Sequence, residues 1–406
     1  MITQQTPTDI VVTPRPVQHI VQQTDTREML ANARKDIARY GLDKYFIVDV
    51  DAHHHELRYW DDVLEYIDDP VLRRNALAMN RLRPGALMGH TPGLNYQDVA
   101  GRIPHSNSHR LIEGVPEGRS EDVELLVRAI ESMGIDLQVI FPQPMLEIGL
   151  HPQSHIEVAL TKAYTRWLVD HTLKEDPRIK TLVPLPFVDP KACIEMVNEH
   201  AANPSVLGFM VTSQRHQGVQ HRDYMPLYDL IQDTGKPIAF HAGPSFGEPA
   251  SKALNKFISV HAVTFVTCNI VHMTNWILNG IPERFPGLKS IWVESGIAWV
   301  PFLMQRLDHE FLMRQSDAPL LKRLPSDYMK ECYYSTQPME ADNLKALEYT
   351  MEIMGAEDNL LYSSDWPHWD FDAPSSIASL PFLSETAKRN ILGETARKLF
   401  NLPHDL

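Results

Sequence analysis

Short apolar runs recur along the chain, and polar or small residues follow each of them. Continuous apolar runs of this length are typical of strands that are buried on both faces, as in a parallel sheet. Eight runs are predicted to be strands: residues 46–50, 137–141, 181–185, 206–211, 237–241, 290–294, 332–336 and 359–364.

Segments of helical periodicity lie between most of these runs. The clearest are residues 155–174, 191–202, 224–234, 300–314 and 343–355. Alternating strands and helices imply a parallel sheet with right-handed crossovers, and eight strands is the number that closes a barrel. A doubly wound open sheet is the alternative, but no glycine-rich loop follows the first run. We therefore predict an α/β fold, a (β/α)8 TIM barrel.

Two segments lie outside this repeat. Residues 1–45 are predicted to form an extended N-terminal arm, rich in Thr, Gln and Pro, followed by a helix over residues 26–40. Residues 57–121 are predicted to be a long insertion after the first strand, within a barrel that spans residues 46–406. Such an insertion at the C-terminal end of a strand usually forms a lid or wall of the active site.

The charge balance argues against nucleic acid as a partner. The chain has 52 acidic and 38 basic residues, for a formal net charge of −14, and no basic tract reverses that sign locally. The N-terminus lacks the pattern of a signal peptide, and no apolar stretch has the length of a membrane span. Three cysteines without paired spacing indicate neither a disulfide framework nor a zinc knuckle. We predict a cytoplasmic protein that binds neither nucleic acid nor membrane.

Titratable residues stand at the ends of four predicted strands. In the first, Asp51 and His53 lie on the same side of the strand by alternation, and His55 continues that side. The fifth run ends at His241 and the sixth at Glu294. Active sites of β/α barrels lie at the C-terminal ends of the strands, so these side chains are expected to meet.

The eighth run is followed by Asp365, with His368 three residues further on. Considered alone, an Asp after a strand often caps the next helix, and a His is often a hydrogen-bonded core residue. Four strand ends that each carry such a group favour a functional site instead. Mixtures of imidazole and carboxylate bind divalent metals, so we predict a metal site at this end of the barrel.

The motifs DVDAHHHE (49–56), FHAG (240–243) and YSSDWPH (362–368), with the segment 280–308, resemble the amidohydrolase-related family. That family includes aminocarboxymuconate-semialdehyde decarboxylase and γ-resorcylate decarboxylase, and the resemblance runs from about residue 46 to 402. It implies one divalent ion, zinc or manganese, held by Asp51, His53, His241 and Asp365. In the His-x-His variant of the first strand, His53 and His55 would be the ligands instead.

The sixth strand departs from the family pattern. Where family decarboxylases usually carry a catalytic His, Glu294 stands in this chain. Glu294 is therefore a candidate for a general acid or base, for an additional ligand, or for a residue that orients His241. The fourth strand ends in Thr212 and Ser213, without the Lys that bridges two metals in binuclear hydrolases, which favours a single ion.

A divalent ion at such a site supports two kinds of reaction. We expect non-oxidative decarboxylation of a small aromatic or unsaturated carboxylic acid, with catalysis by Asp365, Glu294 and His241. The alternative is hydrolysis of an amide, a lactone or a similar cyclic substrate by a metal-bound hydroxide. A catalytically inactive barrel that acts as a binding partner is a third interpretation.

Candidate substrate contacts follow three of the strands. They are Arg215 and His216 after the fourth, Arg306 after the sixth, and Trp366 and His368 after the eighth. Two of them have a simple structural alternative: Arg306 as part of a surface ion pair, and Trp366 as packing in the pocket wall.

Residues 259–278 are apolar nearly all round, which predicts a helix buried in the core or across a subunit contact. Its His261 and His272 are expected to be hydrogen-bonded core residues. The resemblance and this helix together predict a homo-oligomer.

Overall fold

Eight parallel strands form the barrel in the computed structural model, which describes residues 30–85, 87–88, 114–212, 217–243, 253–368 and 370–403. The strands are hydrogen-bonded to one another in chain order. They are β1 Val48–His54, β2 Leu137–Pro142, β3 Ile179–Pro184, β4 Val206–Thr212, β5 Ile238–His241, β6 Ser290–Val293, β7 Tyr333–Ser335 and β8 Leu360–Leu361. The predicted (β/α)8 fold is confirmed, and each predicted strand overlaps an observed one.

Backbone hydrogen bonds join the segment after β8 to β1 and so bring the two ends of the sheet together. The amide of Val50 donates to the carbonyl of Tyr362 at 3.0 Å, and the amide of Asp365 donates to the carbonyl of Asp51 at 2.7 Å. The amide of His53 donates to Trp366 at 2.6 Å. These hydrogen bonds include the predicted site residues Asp51, His53 and Asp365.

Helices connect the strands and cover the barrel. The α-helices are α1 Ala31–Tyr40, α2 Trp60–Glu65, α3 Pro70–Leu82, α4 Glu121–Met133, α5 Ser154–Asp170, α6 Thr172–Glu175, α7 Pro190–His200, α8 Met225–Asp233, α9 Phe257–Leu278, α10 Ile281–Arg284, α11 Trp299–Met313, α12 Pro325–Met329, α13 Leu344–Met354, α14 Ala356–Asn359, α15 Ser375–Ala378, α16 Glu385–Arg389 and α17 Thr395–Leu399. Short 3-10 helices span Leu42–Lys44, Glu56–Tyr59, Pro144–Leu150, Arg222–Tyr224 and Gln315–Asp317, and a π-helix spans Asn390–Glu394.

Local sequence sets where these helices begin and end. Asp189 precedes α7, and its carboxylate accepts hydrogen bonds from the amides of Lys191 and Ala192, which otherwise lack an intrahelical partner. Gly134 and Gly355 follow α4 and α13 in the left-handed conformation, which glycine adopts without steric cost.

Two apolar layers hold the barrel together. The interior cluster includes Val50, Val139, Ala239 and Val293 from the strands, and Phe400 beyond α17. A larger cluster lies between the strands and the surrounding helices. Continuous burial on both faces explains why the strands appear in the sequence as unbroken apolar runs.

The described part of the insertion after β1 contains α2, α3 and a 3-10 helix, while residue 86 and residues 89–113 lie outside the described residues. Its predicted function as a lid or wall therefore stays a prediction. Residues 1–29 of the predicted arm also lie outside, and the predicted helix that follows it corresponds to α1. Among the described residues, no helix combines the length and hydropathy that crossing a membrane requires.

Candidate metal centre

An irregularity in β1 turns the side that Asp51 and His53 share by alternation toward the interior of the barrel. The pairing of β1 with β2 shifts register between Asp49 and Ala52. Val50 belongs to the interior cluster and Ala52 to the outer one, yet Asp51 Oδ1 lies 3.4 Å from His53 Nε2. An extra residue in one strand re-aims the side chains beside it. Asp51 and His53 consequently face the other strand ends at the carboxyl end of the barrel.

The carboxyl ends of β1, β5 and β6 converge on one buried cluster. Potential ligand atoms of Asp51, His53, His241 and Glu294 all lie within 4.8 Å of one another, and all four residues are buried. His241 Nε2 is 3.2 Å from Asp51 Oδ1, and its Nδ1 is 3.5 Å from Glu294 Oε2. The described residues therefore contain a His/Asp/Glu cluster suited to one metal ion.

Both imidazoles of this cluster turn the same ring atom inward. Nδ1 of His241 lies 2.7 Å from the carbonyl oxygen of Ala242, and Nδ1 of His53 lies 3.4 Å from that of Pro142. A carbonyl oxygen only accepts, so each Nδ1 carries the proton and donates it there. With a metal ion bound, each Nε2 would be the unprotonated atom that the ion requires, oriented through Nδ1 by a backbone carbonyl as in known metal sites.

Asp365 and His368 form a second group with His53. Asp365 Oδ1 lies 3.1 Å from His53 Nε2 and 2.6 Å from His368 Nδ1. The rings of His53 and His368 are stacked, with their centroids 4.6 Å apart. On its other side, His368 Nε2 is 2.5 Å from Gln143 Oε1, at the end of β2. Asp365 is thus adjacent to the first cluster through His53.

Two acidic residues of the site have unusual backbone conformations. Glu294 has φ 57° and Asp365 has φ 60°, in the left-handed region that residues with a Cβ rarely adopt. Such strained residues persist only where the surrounding structure holds them, and they concentrate at active sites. These conformations are independent support for a functional site at the ends of β6 and β8.

Burial and neighbouring charges shift the pKa values of the carboxyl groups in the cluster in different directions. Burial, with the neighbouring carboxylates of Asp365 and Asp51, raises the pKa of Glu294 well above its ordinary value. Burial alone would also raise the pKa of Asp51 and Asp365, but imidazoles lower both: His241 and His53 act on Asp51, and His368 and His53 on Asp365. The cluster therefore holds ionised carboxylates and imidazoles together in a low-dielectric space.

The donor atoms fit a bound cation. Asp51 Oδ2, His53 Nε2 and Glu294 Oε2 are buried and make no hydrogen bond within the described part of the chain. Buried polar atoms in folded proteins nearly always have a partner, so three orphans in one cluster require an explanation. Oxygen and imidazole nitrogen are the ligands of zinc and manganese, and a divalent ion would satisfy all three atoms.

The structure separates the candidates for the first-strand ligand pair. His55 lies just beyond β1 and belongs to neither ligand group, whereas Asp51 and His53 belong to the first. Glu294 joins that first group, while Asp365 is in the second. The assignment of individual ligands stays a prediction, with Glu294 and Asp365 as alternatives for the last position.

The structure favours the structural alternative for two of the candidate substrate contacts. Trp366 is fully buried, and its indole N–H donates to the carbonyl of Leu125 on α4, because the side chain fills the apolar layer outside the strands. Arg306 lies on the exposed face of α11 and pairs with Glu310 one turn further on. Arg215 and His216 lie outside the described residues.

Three polar residues around the cluster are not among the predicted site residues. Gln143, Asp49 and Asn269 stand within apolar segments, and only their hydrogen bonds to residues distant in sequence reveal their importance. The prediction that His261 is a core residue is wrong: it is half-buried on α9, close enough to Asp365 and His368 to interact with them electrostatically. His272, in contrast, is buried as predicted.

Comparison with known proteins gives one family and a consistent set of relatives. The family model described as "Amidohydrolase" matches residues 50–402. Gamma-resorcylate decarboxylase from Rhizobium sp. (strain MTP-10005) is 23% identical over 326 residues, which cover 75% of this chain and 94% of the relative.

Solved structures of low sequence identity share the fold. The structure of 5-carboxyvanillate decarboxylase from Novosphingobium aromaticivorans, with bound manganese and 3-methoxy-4-hydroxy-5-nitrobenzoic acid, has a TM-score of 0.63 at 17% identity, covering 88% of this chain and 97% of that one. Dihydroxybenzoic acid decarboxylase from Polaromonas sp. JS666, with bound manganese and the inhibitor 2-nitroresorcinol, has a TM-score of 0.62 at 18% identity, with the same two coverages.

Proposed function

The chain belongs to the amidohydrolase family, and from that premise we propose that it is a metal-dependent decarboxylase of small aromatic carboxylic acids. The observation that carries the proposal is the buried cluster of two imidazoles and two carboxylates at the carboxyl ends of β1, β5 and β6. Its three orphan donor atoms suit one divalent ion. Relatives that align with three quarters of the chain bear the name gamma-resorcylate decarboxylase.

In a non-oxidative decarboxylation, some residues of the site would bind the metal ion and others would supply the proton. Asp51, His53 and His241 would hold the cation, with Glu294 or Asp365 completing the set. When bound, the ion supplies a positive charge that stabilises the negative charge building on the substrate oxygens. The reaction breaks the bond between the ring carbon and the carboxylate carbon, and the ring carbon gains a proton as CO2 leaves.

That proton must come from a group beside the ring carbon. Glu294 and Asp365 are the two carboxyls of the described site that can supply it. The one that is not a metal ligand is the candidate proton donor. Asp365 is in hydrogen-bond contact with His368 at 2.6 Å, so a proton can pass between these two side chains. His368 therefore belongs to the proposed catalytic group, in addition to its predicted contact with substrate.

The test is turnover of 2,6-dihydroxybenzoate by the full chain loaded with manganese or zinc. We expect one CO2 for each resorcinol formed and, in heavy water, one deuterium on the ring carbon that lost the carboxylate. Asp365→Asn and Glu294→Gln should each reduce kcat, since each removes an ionisable group from the site. The variant that removes the proton donor should reduce kcat by about 100-fold. Manganese-loaded Arg306→Ala serves as the control with unchanged turnover, because Arg306 lies on the outer face of α11.

The hydrolase alternative predicts a different outcome of the same experiment. A metal-bound hydroxide would cleave lactones or amides with incorporation of one oxygen from water and without release of CO2. Such turnover, with no reaction of any hydroxybenzoate, would contradict decarboxylation. Binding of both compound classes without any turnover would support the inactive barrel instead.

The outer face of α9 supports the prediction of a homo-oligomer. Ile258, Val263 and Val271 on this helix are exposed, as is Phe302 on α11, which packs beside it. Exposed large apolar side chains on neighbouring helices favour an interaction surface, and a second copy of the chain would cover these.

Light scattering during gel filtration tests this prediction. We expect the full chain to elute as a dimer or larger assembly, and Val263→Glu combined with Val271→Glu to elute as a monomer, because the charges would be buried without partners. Val71→Glu, on the exposed apolar side chain of α3, is the matched control and should leave the mass unchanged. A monomeric parent protein would contradict the prediction.

A further inference from the structure

Glu294 needs support to keep its conformation at the end of β6. With φ 57° it lies in the left-handed region, and in that conformation its carboxylate lies 3.5 Å from His241. One restraint comes from β7, where the hydroxyl of Ser335 accepts a hydrogen bond from the amide of Glu294 at 3.0 Å. A single hydrogen bond does not fix both backbone dihedral angles of a strained residue, so further restraints are required.

Asn269 supplies contacts on both sides of Glu294. It is fully buried in the apolar helix α9, whose Trp276 packs against Phe240 of β5. Its side-chain amide nitrogen donates to the carbonyl oxygen of Val293 at 3.2 Å and to the hydroxyl of Ser295 at 3.0 Å. Because a carbonyl oxygen only accepts, this contact also establishes which end of the amide is the donor. One amide group thus binds the residue before Glu294 and the residue after it.

We propose that Asn269 is a positioning residue, which holds Glu294 in its left-handed conformation and thereby keeps the Glu294 carboxylate against His241. The inference rests on the proposed function in so far as it takes the cluster around His241 to be the metal centre. Glu294 Oε2 is 3.5 Å from His241 Nδ1 and belongs to the same ligand group, so displacement of Glu294 changes the set of donor atoms offered to the ion. Partners that orient a ligand typically change metal affinity 10- to 100-fold when they are removed.

Burial of the amide makes its donated hydrogen bonds necessary. An unpaired amide in an apolar layer is unfavourable, so an Asn on this face of α9 is stable only if its donors are used. Asn269→Leu keeps a similar volume and removes both donated hydrogen bonds. The Val293 carbonyl would still accept from the amide of Ala242 at 3.1 Å, so the substitution leaves that oxygen paired. The effect is therefore expected at Glu294 rather than on the fold as a whole.

The experiment is an equilibrium titration of the full chain with Mn²⁺, in which free Mn²⁺ is measured by electron paramagnetic resonance. We expect Asn269→Leu to raise the Kd for Mn²⁺ about tenfold. In a Glu294→Gln background the same substitution should add no further loss, because Asn269 acts through Glu294. Thr267→Val on the exposed side of α9 is the control, since its hydroxyl bonds to carbonyls of its own helix, and it should leave the Kd unchanged.

A crystal structure of the Asn269→Leu variant decides the question independently of any metal or turnover. We expect φ of Glu294 to leave the left-handed region and its carboxylate to move away from His241. An unchanged Glu294, an unchanged Kd, or an equal loss in the Glu294→Gln background would each overturn the proposal. If Asn269→Leu does not fold, Ser295→Ala removes one acceptor of the same amide, and a smaller shift of Kd in the same direction is expected.

These outcomes are distinguishable from failure of the proposed function. A parent protein that binds Mn²⁺ but releases no CO2 would contradict decarboxylation and leave the affinity comparison valid. A parent protein that does not bind Mn²⁺ would contradict the metal centre, and the conformation of Glu294 in the variant would then decide alone.

Discussion

His241→Ala is expected to lower the metal content of the purified chain from about one divalent ion to nearly none and to abolish turnover. The imidazole Nε2 lies 3.2 Å from Asp51 Oδ1, and its ring meets that of His53 edge-on at a centroid distance of 5.2 Å. Removal of one ligand leaves the remaining carboxylates to repel one another in a buried space. Removal of a partner that only orients a ligand lowers metal affinity about 10- to 100-fold. Removal of a direct ligand is therefore expected to lower it by at least about 100-fold.

Mass spectrometry of the metal in untagged protein measures this directly. Asp365→Ala and Glu294→Gln belong to the same experiment, since the one that loses the ion identifies the last ligand. His200→Ala is the matched control, because His200 is equally buried but belongs to neither ligand group, and it should retain the ion. A His241→Ala protein with full metal content would contradict the proposed centre.

Replacement of Asp49 is expected to destabilise the barrel and to disturb the site, although Asp49 belongs to neither ligand group. Asp49 is fully buried, on the strand two residues before Asp51. Its Oδ1 accepts from the amides of Ser364 at 2.8 Å and Asp51 at 3.2 Å, and its Oδ2 accepts from the Ser364 hydroxyl at 2.5 Å and from Gln138 at 2.9 Å. This one carboxylate therefore links β1, β2 and the segment after β8.

The same contacts reach Asp365 from both sides. The Ser364 hydroxyl also accepts from the amide of Trp366, so the residues that flank Asp365 are both tied to the Asp49–Ser364 pair. Burial raises the pKa of Asp49 to about 7, although the four donated hydrogen bonds favour the carboxylate. Such a carboxylate is costly to bury and is retained because it orients the neighbouring strand ends.

Asp49→Leu should lower the free energy of unfolding by about 3 kcal/mol, because several buried donors lose their partner at once. The midpoint of urea unfolding, followed by tryptophan fluorescence, measures the loss, and metal content should fall in parallel. Asp189→Asn is the matched control: its carboxylate also accepts two backbone amides, but at a half-exposed helix start where Asn caps nearly as well. Equal stability of the Asp49→Leu and parent proteins would show that the network is dispensable.

The sequence by itself determined the architecture of this protein. Buried parallel strands must be apolar on both faces, so all eight appeared as unbroken apolar runs separated by helical periodicity. The strand ends then indicated the site: Asp51, His53, His241, Glu294 and Asp365 each follow or end such a run, and in a β/α barrel those ends share one rim. Local pattern and one general rule of topology were sufficient for this much.

Only the tertiary structure decided how these side chains meet. The register shift in β1 turns the side shared by Asp51 and His53 toward the barrel interior, and no periodicity contains that shift. His55 lies beyond the end of β1 and belongs to neither ligand group. Trp366 and Arg306 were predicted near substrate from their order in the chain, but the side a residue faces depends on packing against α4 and on the exposed face of α11. Asn269 gave no signal in the sequence, and Asp49 appeared only as the first residue of a motif, without a predicted role. Their function lies in hydrogen bonds to residues 24 and 315 positions away, which exist only after the barrel has formed.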